Sequence, residues 1–195
     1  MAKENAVKFG ISKAYYAVWD AATSEYKTPV ALPGAVSLSM SREGDESSFY
    51  ADNIVYYSMD TNAGYSGDFE LAKAPQSVYI DLLGQEVDDN HVLIESTDDK
   101  QVPFALLFEV DGNTERQRFC FYNCTLSRPE SEANTKEDTV DPDTDTLSIR
   151  MTSREFPWGN DTKNAVKASV TDGEETKATF DEWYTKVQLP KKAAA

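Results

Sequence analysis

The feature that most constrains this 195-residue chain is a period of two in its apolar residues. Between Ala35 and Ser41, apolar and polar residues alternate without a break. Val36, Leu38 and Met40 fall to one side, and Ser37, Ser39 and Ser41 to the other. Such a pattern gives no apolar stripe on a helix, but it gives a strand one dry face and one wet face. It returns at 67–72, with Phe69 and Leu71 on one side and Asp68 and Glu70 on the other, and again at 147–152. Residues 53–58 are β-branched and aromatic, as a strand requires. The stretch 103–110 is apolar on both sides and predicts a central strand covered on both faces. The stretch 118–125 follows after Asp111-Gly112-Asn113, a turn sequence that predicts a hairpin. A weaker last strand is expected at 166–170, ended by Asp172-Gly173.

Two segments carry helical spacing instead. Residues 75–83 begin with a proline suited to a helix start and end at Gly84, a suitable C-terminal stop. Val78, Tyr79, Leu82 and Leu83 share one side. Over 179–187, Phe180, Trp183, Tyr184 and Val187 form a stripe, and Thr179 with Glu182 has capping-box spacing. Both helices are expected to close a face or an end of the sheet. Three stretches predict loops: 42–48, 85–90 and 130–145. The last carries seven acids against Lys136 and predicts a long mobile loop. No internal repeat and no linker is evident, so 1–190 is expected to be a single domain, with 191–195 a frayed tail.

Charge excludes several functions. The chain carries 34 Asp plus Glu against 19 Lys plus Arg, a net charge of −15. A nucleic-acid groove needs clustered cations, and an anionic membrane repels such a surface. No apolar run approaches the ~18–20 residues of a membrane span. The polar start, Met1 to Asn5, offers no apolar signal core. Cys120 and Cys124 lie four apart on an expected strand, about 13 Å between Cα atoms, too far for a disulfide. Free, buried thiols are expected, compatible with a reducing compartment.

Chemistry-bearing motifs are missing. His91, in Asp88-Asp89-Asn90-His91, is the one histidine and has no organised serine or cysteine partner pattern. Metal spacings of the Cys-x-x-Cys or His-x-x-x-His kind do not occur. Asp141-Pro142-Asp143-Thr144-Asp145 starts like a calcium loop but lacks the glycine at the sixth position and the glutamate at the twelfth. Asp88-Asp89 and Asp98-Asp99 lie in polar loops, with no aromatic platform for a sugar nearby. No phosphate-cradling glycine loop is present. Neither a catalytic residue, a metal ligand nor a cofactor is therefore expected.

The order of short segments along the chain is more informative. Lys8-Phe9-Gly10, Tyr15-Tyr16, Pro33-Gly34-Ala35-Val36-Ser37-Leu38, Phe49-Tyr50-Ala51-Asp52-Asn53 and Gly64-Tyr65-Ser66-Gly67-Asp68 come first. Pro103 to Glu109, Phe121-Tyr122-Asn123-Cys124, Ser127-Arg128-Pro129 and Trp183-Tyr184 follow. In this order and spacing the chain resembles, over roughly residues 5–190, the major tail tube proteins of long, non-contractile-tailed (siphovirus) phages of Gram-positive bacteria. The resemblance implies a mainly β fold with a flanking α-helix. It is a tail-tube β-sandwich or barrel related to the tube proteins of type VI secretion. Six copies would form a ring closing an inner β-barrel. Stacked rings would form the virion tail tube that delivers the genome, assembled in the host cytoplasm. Implied partners are other copies of the chain, a tape-measure protein, a tail-tip initiator, a tail terminator and DNA in transient, non-specific passage, with no membrane insertion.

Within that frame, Ser37, Ser39, Asp68 and Glu70 are candidates to face a wet lumen, where acids would repel phosphate. Arg42, Glu43, Asp45 and Glu46 in one loop, and Glu137, Asp138 and Asp141 in the other, are candidates for ring-to-ring contact. An open sheet edge closed by neighbouring copies would supply the interface. The competing expectation is a minor tail or receptor-binding β-domain, or a tail terminator, which would stay a defined small oligomer.

Overall fold

A computed structural model describes residues 8–112, 115–130 and 143–192. The long strands are β1 (Lys8–Asp20), β4 (Ala35–Glu43), β7 (Gly64–Leu71), β10 (Phe104–Gly112), β11 (Gln117–Leu126) and β12 (Asp145–Thr152). They pair antiparallel in the order β1-β10-β11-β12-β7-β4. Two short strands, β2 (Glu25–Tyr26) and β3 (Val30–Leu32), add to the outer side of β1. β3 and β4 run in the same direction and are parted only by Pro33-Gly34, yet β3 pairs with β1 and β4 with β7. The run 30–43 therefore links the first ladder to the last, and the sheet curls round on itself. The ladder still ends at β4, which among the described residues pairs only with β7.

One core fills the inside of that curl. Tyr16, Leu32, Phe69, Leu71, Phe104, Leu106, Phe121, Leu126, Leu147 and Met151 meet there, from every long strand's neighbourhood. Helix α1 (Gln76–Leu83) plugs it with Val78, Leu82 and Leu83. Pro75 starts the helix, and Gly84 at φ +76 stops it, where a Cβ would lie 2.7 Å from the Lys100 carbonyl oxygen. A second core lies on the opposite face of β10 and β11, because six consecutive residues, Phe104 to Glu109, are buried. Ala105, Leu107, Cys120 and Tyr122 pack there against Phe180, Trp183 and Val187. Each such large apolar side chain contributes about 1.5–3 kcal/mol by leaving water. Both thiols are free and buried, and burial pushes the Cys124 thiol up to about 12.

Several boundaries differ from the expectations. The C-terminal helix α2 spans Lys177–Asp181 with Thr176 at its start, so Thr179 is interior and no capping box forms. Turns continue to Thr185, and these still bring Trp183 and Val187 inward. The expected loop 42–48 is instead the end of β4 and the start of β5 (Glu46–Ala51), which forms a hairpin with β6 (Ile54–Asp60). The expected loop at 85–90 contains β8 (Glu86–Val87), paired with β9 (Leu93–Ile94). A further hairpin, β13 (Arg154–Trp158) with β14 (Asp161–Ala165), precedes β15 (Lys167–Thr171), which pairs with the first half of β11. The strand at 8–20, the longest, carries no clean alternation. A register shift between Ser12 and Tyr15, with Lys13 at φ +48, breaks its period.

Val36 departs from the alternating pattern. Ala35 faces Leu71 and Ser37 faces Glu70, so Val36 is the extra residue of a β-bulge. It is 50% exposed, and Met40 is 36% exposed at the same edge strand, while Leu38 packs against the core. The bulge, invisible to a count of two, decides which residue turns inward.

Candidate functional site

The outer face of β4, β7 and β12 is a ladder of hydroxyls and carboxylates. Register places Ser37, Glu70 and Thr146 in one row, Ser39, Asp68 and Ser148 in the next, and Ser41, Ser66 and Arg150 in the third. The opposite side chains, Leu38, Phe69 and Leu147, occupy the core, which fixes this face outward. Neighbouring groups are bonded across strands. Ser37 Oγ and Thr144 Oγ1 donate to the two oxygens of Glu70 at 2.8 and 2.6 Å. Ser148 Oγ donates to Asp68 Oδ1 at 2.7 Å, and Ser66 Oγ to Glu43 Oε1 at 2.5 Å. The hydrogen bonds from Thr144 and Ser37 hold the Glu70 carboxyl below its ordinary value. Glu43, Asp68 and Glu70 share this face with the guanidinium of Arg150. Gly67 lets β4 approach closely, since a Cβ there would lie 2.0 Å from the Ser39 carbonyl oxygen.

The structure brings Ser37, Ser39, Asp68 and Glu70 onto this one face. Arg42, Glu43, Asp45 and Glu46 fall at the base of the β5–β6 hairpin. Thr61 pins that base: its Oγ1 accepts from Asp45 N at 2.9 Å, and its N–H donates to Asp45 O at 3.1 Å. Arg42 lies 3.8 Å from Asp60 in an exposed pair. Glu137, Asp138 and Asp141 lie outside the described residues.

The hairpin itself is the feature the sequence reading missed. Phe49, Tyr50, Ile54, Val55, Tyr56, Tyr57 and Met59 are all between 49 and 71% exposed, on both sides of a two-stranded ribbon. Asp52 and Asn53, at φ +53 and +59, make the tight turn. A register shift between Phe49 and Tyr50 leaves Tyr56 without an opposite residue. An isolated two-stranded ribbon is at best marginal in water, and apolar residues on both of its sides mark an interaction surface. The available signal was the unbroken apolar run on either side of Asp52-Asn53, which lacks the wet face of the other strands.

Among the described residues, no group of three or more His, Cys, Asp or Glu is placed to hold a metal ion. His91 is exposed in a turn, donating its backbone N–H to Asp88 O. No described helix is long and apolar enough to cross a membrane. Among the described residues the one buried carboxylate, Glu109, is bound by Arg118 and Lys13 at 2.6 and 2.8 Å and supports the fold.

The curled sheet thus carries a wet ladder on one face and, beyond its β4 end, an exposed apolar ribbon, with no metal cluster among the described residues. The family model of phage tail tube proteins matches residues 3–193, and the chain belongs to that family. No curated protein matches the chain significantly.

Proposed function

We propose that this chain is the repeating subunit of a siphovirus tail tube of a phage of Gram-positive hosts. Six copies close a ring, rings stack head to tail, and the bore conducts the genome into the host. Family membership makes the protein a structural tail component. The observation that supports stacking is the β5–β6 hairpin, whose apolar side chains stay largely exposed among the described residues. Docking that ribbon on another copy removes the exposed surface and extends the assembly without closing it, as a heterologous contact does. Arg42, Glu43, Asp45 and Glu46 then sit at the root of the stacking contact. A tape-measure protein, a tail-tip initiator and a tail terminator would set the start, length and end. Assembly would take place in the host cytoplasm.

The hydroxyl–carboxylate ladder at Ser37, Ser39, Asp68 and Glu70 suits a wall past which DNA moves. Its carboxylates repel phosphate, and the hydroxyls of Ser37 and Ser148 are already engaged with those carboxylates. Contact with DNA is then brief and independent of sequence, and the protein carries out no reaction of its own. Electron microscopy of the purified protein, concentrated stepwise with and without tail-tip extract, tests the reading. Stacked rings of six, about 130 kDa each, are expected. A small oligomer that persists in the presence of the extract and saturably binds a host glycan would replace this reading with a receptor-binding one.

A further inference from the structure

A stack that repeats head to tail needs two different patches on each subunit, and the run 30–43 carries a candidate for each at its two ends. The hairpin leaves the Glu43 end. At the other end, Val30 and Val36 are 42 and 50% exposed, and Pro33 and Ala72 are exposed beside them. Ala72 N donates to Gly34 O at 2.8 Å, which joins the end of β7 to this patch. We propose, resting on the tube reading, that the β5–β6 hairpin of one copy seats on the Val30–Val36 patch of a second copy.

Three observations carry the pairing. First, Val36 is exposed because of the bulge against Leu71 and Glu70, a device that re-aims a side chain where a contact is made. Second, charge is complementary. Residues 43–60 contain five acids and no Lys or Arg, whereas 26–37, at the receiving end, contain no acid and hold Lys27. Lys73, exposed beside Ala72, adds a cation. Two carboxylates also lie nearby: Glu70 accepts from Ser37, and Asp145 accepts from Ala74 N at 2.7 Å. Third, the two patches are comparable in kind, each apolar at its centre and charged at its margin, as association surfaces are. In a chain of net charge −15, the cations Lys27 and Lys73 at the receiver favour an acidic ribbon there.

The test uses full-length protein with a photoreactive phenylalanine analogue in place of Tyr56, mixed as ordinary and 15N-labelled copies and irradiated after assembly. Mass spectrometry should find mixed-label cross-links from position 56 to residues 27–36 or 72–73. Cross-links to any other surface, hairpin to hairpin included, overturn the proposal. Val36→Glu, exposed and so compatible with folding, should raise the concentration needed for assembly at least tenfold. Ile94→Glu, equally exposed but elsewhere, should leave it unchanged. Particles that carry the expected cross-link but are not tubes would remove the tube reading and keep the docking. Failure to associate at any concentration, with tail-tip extract present, removes both.

Discussion

Arg118 Nε donates to Glu109 Oε2 at 2.6 Å across neighbouring strands, with both side chains buried. The guanidinium lies 3.8 Å from the Phe180 ring centre and also donates to the Phe180 carbonyl, so one ion pair ties β10, β11 and α2 together. Breaking such a pair costs about 3–5 kcal/mol, and the contact to Glu109 that Lys13 keeps puts the loss here at the low end of that range. Arg118→Ala is therefore expected to lower unfolding stability by about that amount in urea titration. Replacing both residues with apolar ones should cost much less. An Arg118→Ala loss under 1 kcal/mol would show that α2 docks without the pair.

The same carboxylate sets an acid limit. Burial pushes the Glu109 carboxyl up, but hydrogen bonds from Lys13 and Arg118 outweigh it and hold the group below its ordinary value. A depressed carboxyl stabilises the fold above its unfolded-state value, near 4.5. That contribution is lost as pH falls through the lower folded-state value. Stability measured between pH 6 and 3 should fall in wild type, and Glu109→Gln should be less stable at pH 6 but flatter below pH 4.5.

At the alkaline end, Tyr16 donates to Asp81 Oδ2 at 2.6 Å, and burial with that hydrogen bond pushes its hydroxyl up to about 12. A raised value favours the protonated folded state, so its contribution is complete below pH 10 and fades between 10 and 12. Tyr16→Phe should remove the part of the alkaline loss that titrates in that window, as thermal melts across pH 9–12 would reveal.

The hairpin turn offers a cleaner handle on assembly than its apolar residues do. Asn53 sits at φ +59, where a β-branched residue is strained by about 1–2 kcal/mol. Asn53→Val should disorder the ribbon and abolish tubes while leaving the melting temperature of the domain nearly unchanged. Asn53→Gly should assemble normally. Retained tubes with Asn53→Val would detach the hairpin from stacking.

Reversing charge on the wet ladder probes the bore. Asp68→Lys with Glu70→Lys should still form tubes, because neither side chain enters the core. Virions carrying it should release DNA more slowly, and salt should restore the rate by screening the phosphate attraction. Unchanged release at low salt would place this face away from the genome.

What residues alone determined is whatever depends on spacing within one element. The alternation at 67–72 and 147–152, the two-faced run at 103–110 and the stripe Phe180–Trp183–Val187 each fix a buried side, because side-chain direction follows the local period. The ordered short segments pointed to the family. Tertiary structure decided the rest. Which strands pair, that the run 30–43 crosses from β1 to β7, and that Val36 is squeezed out by a bulge all depend on partners far away in sequence. The β5–β6 ribbon is the clearest case. Its residues look like a buried strand pair, and the fold leaves them exposed among the described residues, because both cores are filled by other elements.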